Sequence, residues 1–480
     1  MNDTARALML GTLVVIAAVA LLSVVSGCFS ERSFVMRAAD VRMLPARSDE
    51  PAAAADVSPS QRTDARTWLR RVHREFAGLL PHHSRPALVT QDLCDADGRP
   101  TDVFAHFRVN PDTLHTLAGN CRGIAFTAQA AGAKSYIETP APDWNGFEDV
   151  WIPVGGGLEL CGRLGLARDE FGAPIVADCI VILPGLLGDN GVLRTRDIAA
   201  GLRANGFHAL ALEQRGHGQT ERRFGHVAYT WGALETGELL AVSEWLTAQP
   251  SVRRTGLIGF CWGANHALLA AWEDGRGADD RGVPERLAPL QRRAGSGPHY
   301  SAGIVACSPV LRFEKLIEAT RREWSVLKHP VYDALQDTLE ARSVRKGYPE
   351  ATRSLRRLLE MDAAIDPSLY DGIVDDGIHY VRLMPHNGVP VVAKLEAARV
   401  PVLIIHAAND PLAPAQEIAD FMAPLDNPNV AAVILPDGGH VGFAPYARRY
   451  FYSLLANFFH VDRGPAAIPP GRGSAAAGRE

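Results

Sequence analysis

The sequence predicts an α/β domain with a mostly parallel, doubly wound sheet and a helical lid insertion. Between residues 147 and 460, short apolar runs alternate with stretches of helical spacing, which is the order expected of successive βαβ units. The later runs are apolar at almost every position, as in parallel strands covered on both faces. The chain has 480 residues, of which 47% are hydrophobic and 21% charged, and this allows a large folded core. A net charge of -5 without a basic stripe predicts no nucleic-acid partner.

The N-terminus predicts attachment to a membrane. Residues 7–27 form an uncharged apolar run, long enough for a signal-peptide core or a membrane-spanning helix. The run ends in Val25-Ser26-Gly27-Cys28, which resembles the lipobox of bacterial lipoproteins, where cleavage leaves the cysteine acylated. Residues 1–28 are therefore predicted to be either a lipoprotein signal, with Cys28 lipidated, or an uncleaved signal anchor. Both alternatives place the protein in a bacterial cell envelope, with the α/β domain outside the cytoplasm.

Three further segments surround the α/β domain. Residues 29–58 are rich in Ala, Pro and Asp and predict a flexible tether. Residues 59–146 predict an N-terminal extension packed on the domain, and residues 461–480 a disordered tail of low complexity. The extension should open with a helix, because apolar residues recur at helical spacing after its expected cap, Ser58 or Ser60.

Within the α/β domain the individual elements can be placed. The predicted strands cover residues 149–154, 158–167, 179–185, 207–216, 255–260, 301–309, 401–410 and 429–437. Helices are predicted between them at residues 191–206 and 233–249. Residues 309–399 interrupt the alternation with charged, helix-forming sequence and predict a lid over the strand ends; the alternative is a solvated excursion without a role in the site.

The stretch "LIGFCWGANHALLAAW" has the pattern of a nucleophile elbow, with Cys261 at its centre. An apolar strand leads into a tight turn, Gly259 and Gly263 allow close backbone approach, and a helix follows. The helix N-terminus favours negative charge and therefore the thiolate, which is the nucleophilic form of cysteine. Cys261 is the candidate nucleophile; the alternative is a buried structural cysteine.

An acid and a histidine follow the elbow in the order of a catalytic triad. Asp410 ends the apolar run "PVLIIHAAND", and His440 lies in the glycine-rich "LPDGGHVGF" after the next strand. This pattern predicts that Asp410 orients His440, which acts as general base. Asp437 is the competing acid, but it lies on the histidine's own loop. The other histidines considered are expected to be structural: His217, His266 and His406.

The loop "ILPGLLGDN" follows another apolar strand and carries the glycines of a tight turn. In a site of this order, such a loop and the residue after the nucleophile each supply a backbone N–H to an oxyanion hole. The candidates are the main-chain groups of Leu186 and Trp262; the alternative is an ordinary turn between strand and helix.

The remaining cysteines predict no metal site, because none has the spacing of metal ligands. In an oxidising compartment, Cys94–Cys121 or Cys161–Cys179 could be bridged, and the sequence leaves this pairing open.

The stretch 147–460 resembles the α/β-hydrolase superfamily, most closely its embryogenesis-associated or medium-chain esterase/acyltransferase branch. The motifs that carry the resemblance are "LPGLLGDN", "EQRGHGQT", "GFCWGANHALLAAW", "EMDAAIDPSLYDGIVDDGIHYV", "PVLIIHAANDPLAP" and "GGHVGF". The resemblance implies ester hydrolysis or acyl transfer on a small-molecule acyl substrate, without a cofactor. By position, it implies a triad of Cys261, Asp410 and His440.

Cys261 departs from that branch, which normally has serine at this position. Dienelactone hydrolases and polyhydroxyalkanoate synthases in the same superfamily carry cysteine there. The predicted function is therefore a membrane-anchored carboxylic-ester or thioester hydrolase that works through an acyl-enzyme. The alternatives are an acyltransferase with the same triad and a catalytically silent binding lipoprotein.

Overall fold

The structure is a computed structural model that describes residues 34–44, 64–81, 86–109, 121–131, 144–288, 298–321, 330–365, 373–384 and 393–460. Within these residues, nine strands form one sheet in the order β1-β9-β8-β7-β6-β4-β5-β3-β2. The strands are β1 Leu88–Val89, β2 Glu148–Gly155, β3 Leu158–Gly165, β4 Ala177–Leu183, β5 His208–Glu213, β6 Val252–Phe260, β7 Gly303–Cys307, β8 Val402–Ala407 and β9 Val430–Leu435.

The sheet is mostly parallel. Strands β5, β4, β6, β7, β8 and β9 are parallel neighbours, whereas β3 and β2 extend one edge in the antiparallel sense and β1 the other. The predicted fold class is confirmed, and the predicted strands correspond to β2 to β9. Strand β1 has only two residues, too few to give a periodic signal in the sequence.

Helices cover both faces of the sheet. They are α1 Ala65–Phe76, α2 Val103–Phe107, α3 Cys121–Ala131, α4 Leu193–Ala204, α5 Gly218–Arg223, α6 Glu235–Thr247, α7 Trp262–Arg276, α8 Phe313–Ala319, α9 Pro330–Arg345, α10 Leu355–Ala363, α11 Ile373–Val381, α12 Gln416–Met422 and α13 Phe443–His460, with non-helical backbone at Ala447. Helices α6, α7 and α12 bury apolar residues in one core, and α1, α4 and α13 in the core on the opposite face. The two helices predicted in the α/β domain correspond to α4 and α6.

The N-terminal extension joins the sheet and covers part of it. Strand β1 pairs with β9, and α1 contacts both β9 and α13. The cap of α1 is Asp64, whose Oδ1 accepts the N–H of Thr67 at 2.6 Å. The sequence-based expectation of Ser58 or Ser60 as the cap is therefore wrong. An aspartate at this position satisfies a free N–H group and also places negative charge at the positive end of the helix dipole.

Residues 34–44 pack on the domain, although they belong to the segment predicted as a flexible tether. Met36 is 1% exposed and lies so close to Gly201 of α4 that a Cβ on Gly201 would be 2.1 Å from the Met36 Cβ. The N–H of Leu44 donates to Oδ1 of Asn457 at 2.9 Å. Apolar burial and a backbone hydrogen bond thus fix a segment whose composition alone suggests a linker.

Helices α8 to α11 lie between β7 and β8, in the region predicted as a lid insertion. Buried Arg342 of α9 connects these helices to the rest of the chain by donating to the carbonyl oxygen of Gly216 at 2.8 Å. The same guanidinium pairs with Glu221 at 3.3 Å and with Asp362 at 3.4 Å. Phe313 of α8 packs on Trp262, with ring centroids 4.1 Å apart. The insertion therefore lies directly beside the end of β6.

The predicted membrane anchor, residues 1–28 with Cys28, and the predicted tail, residues 461–480, lie outside the described residues. Among the helices that the structure does describe, none combines the length and apolarity needed to cross a bilayer.

Candidate active site

Cys261 occupies a strained turn between β6 and α7. Its backbone has φ 54° and ψ -119°, a conformation that is costly for a residue with a side chain. The flanking glycines are required sterically. A Cβ on Gly259 would lie 2.1 Å from the carbonyl oxygen of Gly263, and one on Gly263 would lie 2.2 Å from that of Pro184. This is the geometry of a nucleophile elbow, which presents the central side chain at a helix N-terminus.

His440 is oriented by Asp410. The Nδ1 of His440 donates to the Asp410 carboxylate, at 2.8 Å from Oδ2 and 3.1 Å from Oδ1. Oδ1 also accepts the backbone N–H groups of Leu412 and Ala413, both at 2.9 Å. Burial would raise the pKa of Asp410, but the charge and hydrogen bond of His440 hold that pKa below its usual value. A buried carboxylate therefore fixes the ring and leaves Nε2 directed towards the nucleophile.

The Cys261 thiol and His440 favour each other's charged forms. Burial raises the pKa of Cys261, but the positive charge of the nearby His440, with the N–H groups of Leu186 and Trp262, brings that pKa below the ordinary 9.0. Burial lowers the pKa of His440, but Asp410 and the Cys261 thiolate raise it to about 10. The pair is thus set up as thiolate and imidazolium, the reactive form of a cysteine nucleophile.

The two backbone groups predicted for an oxyanion hole lie at Cys261. The N–H groups of Leu186 and Trp262 both interact with the Cys261 sulfur and help to lower its pKa. The loop before α4 approaches closely because Gly185 has no side chain: a Cβ there would be 3.0 Å from the Cys261 Cβ. Two converging donors at the nucleophile are what an oxyanion intermediate requires.

Asp437, the competing acid, binds other partners. Its carboxylate accepts a hydrogen bond from Nδ2 of Asn409 and pairs with Nε of Arg122 at 3.1 Å. Asn409 in turn accepts the N–H of Gly439 at 3.0 Å. The structure therefore brings Asp410 to the imidazole of His440, whereas Asp437 holds the loop in which His440 lies.

Helix α3 of the N-terminal extension supports the same loop. Oγ1 of Thr127 accepts the backbone N–H of His440 at 2.7 Å and donates to the carbonyl oxygen of Gly123 at 2.7 Å. A Cβ on Gly439 would lie 2.0 Å from that same carbonyl oxygen. On the other side of the loop, Oγ of Ser308 accepts the N–H of Val441 at 3.2 Å.

Sequence reasoning missed Thr127 and Ser308, because neither belongs to a motif and their contacts are distant along the chain. A glycine one helical turn before a threonine, as in Gly123 and Thr127, is only a weak local signal for such a contact.

The other histidines have structural partners. His217 hydrogen-bonds through Nδ1 to the carbonyl oxygen of Arg215 at 2.8 Å, and His266 lies 3.0 Å from Oε1 of Gln214. Nε2 of His406 donates to the carbonyl oxygen of Ala413 at 2.9 Å. His406 is also 3.7 Å from the Asp410 carboxylate, so it packs behind the acid rather than beside the nucleophile.

The other described cysteines differ from Cys261. Cys94, Cys161, Cys179 and Cys307 are free thiols, so neither of the two possible bridges forms. Burial raises the pKa of Cys161, Cys179 and Cys307, which keeps them protonated and unreactive. Within the part of the chain that the structure describes, no group of three or more His, Cys, Asp or Glu side chains is arranged to hold a metal ion.

An apolar cavity lies under the insertion, next to the aromatic residues that contact Trp262. Its empty space is about 350 Å³ when the part open to solvent is included. Its lining comes from the loop before α6 and from α8, α10 and α11: Tyr229, Trp231, Phe313, Leu359, Ile378 and Val381.

Comparison with known proteins places the chain in a family. The sequence model of the Alpha/beta hydrolase family matches residues 180–451, which include the elbow, Asp410 and His440. The chain belongs to the alpha/beta hydrolase family. The predicted enzyme class, a hydrolase, is thereby confirmed, and the superfamily resemblance with it. No curated protein matches the chain.

Several solved structures are similar to the chain at low sequence identity. The esterase Pf2001 of Pyrococcus furiosus is 17% identical, with 66% of this chain and 96% of the esterase covered and a TM-score of 0.40. Est1E of Butyrivibrio proteoclasticus is 14% identical, with 65% and 96% covered and a TM-score of 0.37. A bacterial membrane phospholipase A is 17% identical, with 66% and 88% covered and a TM-score of 0.38. Membership of the family rests on the sequence match, not on these similarities.

Proposed function

We propose that the protein hydrolyses carboxylic esters or thioesters through an acyl-enzyme on Cys261. The observation that carries this proposal is convergence at one sulfur atom. His440, oriented by Asp410, and the N–H groups of Leu186 and Trp262 all act on the Cys261 thiol. Nucleophile, base and oxyanion donors are the parts that acyl transfer needs.

In the first half of the proposed reaction, the Cys261 thiolate attacks the acyl carbon of the substrate. The carbonyl oxygen becomes an oxyanion, which accepts hydrogen bonds from the N–H groups of Leu186 and Trp262. The carbon–oxygen or carbon–sulfur bond of the leaving group then breaks as the carbonyl reforms. The imidazolium of His440 gives its proton to the leaving alcohol or thiol.

In the second half, neutral His440 takes a proton from water as the water attacks the thioester of Cys261. The second tetrahedral intermediate expels the Cys261 thiolate, releases the carboxylic acid and restores the imidazolium. A thiolate is itself a good leaving group, so the first intermediate returns to substrate unless the substrate's own leaving group is also good. The enzyme is therefore expected to prefer activated acyl compounds such as thioesters, lactones and aryl or enol esters.

The finer assignment is part of the same proposal. The sequence motifs favour the embryogenesis-associated or medium-chain esterase/acyltransferase branch, with a cysteine nucleophile as in dienelactone hydrolases. The apolar cavity next to the partners of Trp262 offers space for an alkyl or aromatic group of the substrate. An alcohol or amine acceptor in place of water would give acyl transfer by the same steps.

We also propose that the N-terminus anchors the protein to the membrane of a bacterial cell envelope, by lipidated Cys28 or by an uncleaved apolar helix. The support is the sequence of residues 7–28. Mass spectrometry of the native N-terminus tests it: a chain that begins at an acylated Cys28 indicates a lipoprotein, and an intact start indicates a signal anchor. A chain cut before Cys28 and free of lipid would contradict both.

The catalytic proposal is tested by turnover of p-nitrophenyl esters and acyl thioesters by the full-length protein. Wild type is compared with Cys261→Ala, Cys261→Ser and His440→Ala. We expect both alanine variants to lose at least about a thousandfold in kcat/KM. Ester hydrolysis that survives Cys261→Ala would contradict the proposal. Turnover by Cys261→Ser but not by wild type would mean that the cysteine silences an esterase site. Product formation only when an alcohol or amine acceptor is added would indicate acyl transfer.

A further inference from the structure

Arg194, near the start of α4, is a mostly buried arginine that forms no ion pair with a carboxylate among the described residues. Nη1 donates to the carbonyl oxygen of Ala130 at 3.3 Å, and the guanidinium lies over the ring of Phe260, 4.4 Å from its centroid. Nε is buried and has no hydrogen-bond partner. Among the described residues, no carboxylate lies within ion-pair distance of Arg194. A guanidinium offers five N–H donors, so most of those on Arg194 remain available.

The guanidinium lines a cavity beside the catalytic histidine. The cavity encloses about 420 Å³, partly open to solvent. Val441, which follows His440, contributes to its wall together with Leu193 and Gln129. The rest of the lining is mainly apolar and aromatic: Phe34, Ala130, Ala444, Pro445, Phe451 and Tyr452, with Asp197 as the acidic member. Arg194 is thus the cationic group of a mainly apolar recess that also contains Gln129 and Asp197.

Arg194 carries its charge at neutral pH. Burial lowers its pKa to about 10, against the charges of Cys307, Cys261 and Tyr452, which raise it. The acidic side chain in the cavity does not neutralise Arg194, because Oδ2 of Asp197 accepts the N–H of Phe34 at 2.5 Å and Oδ1 lies 3.8 Å from Arg196. A buried charge without a carboxylate or phosphate bound to it is unfavourable, and a ligand that brings such an anion would reduce this penalty.

We propose that Arg194 binds an anionic group of the acyl substrate, a carboxylate or a phosphate, while the apolar walls contact the carbon chain next to it. The planar guanidinium matches both anions through paired N–H donors. Because the cavity wall includes Val441, the residue after His440, the proposal assigns the anion bound by Arg194 and the reacting carbonyl to one substrate molecule. This inference rests on the proposed acyl-transfer chemistry and adds a substrate class to it: acyl compounds with a second, charged end.

The first test compares two esters that differ only in charge, p-nitrophenyl hexanoate and mono-p-nitrophenyl adipate, with full-length protein. We expect wild type to favour the adipate ester by about tenfold or more in kcat/KM, and Arg194→Met to lose that preference. The matched control is Arg449→Met, which removes an exposed arginine from α13 and should keep the preference. A wild type without preference, or an Arg194→Met variant that keeps it, would overturn the inference.

A binding measurement separates this inference from the proposed reaction. Titration calorimetry with adipate, inorganic phosphate and hexanoate needs no turnover. Binding of adipate or phosphate that Arg194→Met weakens by about tenfold supports the site even if no ester is hydrolysed, and the tighter anion identifies the group. Equal affinity of wild type and Arg194→Met for both anions, or no binding of either, would overturn the site whatever the esterase result.

Discussion

At the scale of single residues, the reactivity of Cys261 depends on two opposing effects on its thiol pKa. Burial is the largest single effect and raises the pKa, but the positive charge of His440 together with the N–H groups of Leu186 and Trp262 outweighs it. Cys161, Cys179 and Cys307 keep raised pKa values because burial dominates there, even though Arg163 acts on Cys161 and Arg194 on Cys307. Cys261 therefore differs from these cysteines by the imidazole and the two N–H groups beside its thiol.

This balance predicts the pH dependence of the thiol. Because only the thiolate is alkylated, the rate of Cys261 alkylation by iodoacetamide should rise with pH to a midpoint below the ordinary 9.0. His440→Gln removes the cation and leaves the burial, so its midpoint should move above that of wild type. The measurement is alkylation rate against pH, with the labelled peptide identified by mass spectrometry. Identical midpoints in the two proteins would contradict the thiolate–imidazolium pair.

Activity should follow a bell-shaped pH profile from the same two groups. On the acidic side, kcat/KM rises as the Cys261 thiol ionises below pH 9.0. On the alkaline side it falls through about pH 10, as His440 loses the proton that the leaving group needs. A rate that keeps rising well above pH 10 with a leaving group that requires protonation would exclude His440 as the acid.

The glycines of the elbow give a stability prediction. Gly263→Ala would place a Cβ 2.2 Å from the Pro184 carbonyl oxygen, so we expect a loss of about 2–3 kcal/mol in the free energy of unfolding. Gly78→Ala is the control, since a Cβ there meets nothing within 4 Å, and it should change stability by no more than about 0.5 kcal/mol. Urea denaturation measures both, and equal stabilities would contradict the steric role of Gly263.

At the scale of secondary-structure elements, helix α3 is a part of the site that lies outside the family match. Residues 121–131 precede residue 180, where that match begins. Even so, Thr127 accepts the N–H of His440, and Arg122 pairs with Asp437 on the same loop. The extension therefore holds the loop of His440 from outside the residues that the family model matches.

Replacing the Thr127 hydroxyl tests this positioning role. Thr127→Val keeps the shape but leaves the buried N–H of His440 without an acceptor, at a cost of about 1–3 kcal/mol. We expect kcat to fall about tenfold with little change in KM, because a displaced base slows chemistry more than binding. Thr127→Ser restores the acceptor and should recover most of the rate. Full activity in Thr127→Val, or no recovery in Thr127→Ser, would contradict the role.

At the scale of the whole molecule, residues 34–44 cover part of the apolar core on the face of the sheet that α4 and α13 also cover. Met36 is 1% exposed in this segment, whereas Met43 is 43% exposed. Met36→Ala should therefore lower the free energy of unfolding by about 2–3 kcal/mol, and Met43→Ala by less than about 0.5 kcal/mol. Chemical denaturation of the two variants measures the difference. Equal effects would mean that the segment does not belong to the folded core.

The sheet was predictable because most of its strands correspond to a pattern of consecutive residues in the sequence. Each run from β4 to β9 contains several consecutive apolar residues, and the elbow around Cys261 carries its own glycines. The order in which elbow, Asp410 and His440 occur is also visible in the sequence. These signals do not depend on knowing which parts of the chain meet.

The contacts that were missed depend on distant parts of the chain. Thr127 meets His440 across 313 positions, and Leu44 meets Asn457 across 413. Composition made residues 34–44 resemble a linker, and a two-residue strand such as β1 has no period. Long-range packing decides such elements, and a single sequence does not display it.

The central claim is that Cys261 carries the acyl group during catalysis. The most direct test is acid quenching of the protein within the first turnovers of p-nitrophenyl acetate, followed by peptide mass spectrometry. Because p-nitrophenol is a good leaving group, acylation of Cys261 should be faster than hydrolysis of the resulting thioester. We therefore expect an acetyl group on the peptide that contains Cys261. Steady release of p-nitrophenol without any acetyl group on Cys261, or with that group on another residue, would contradict it.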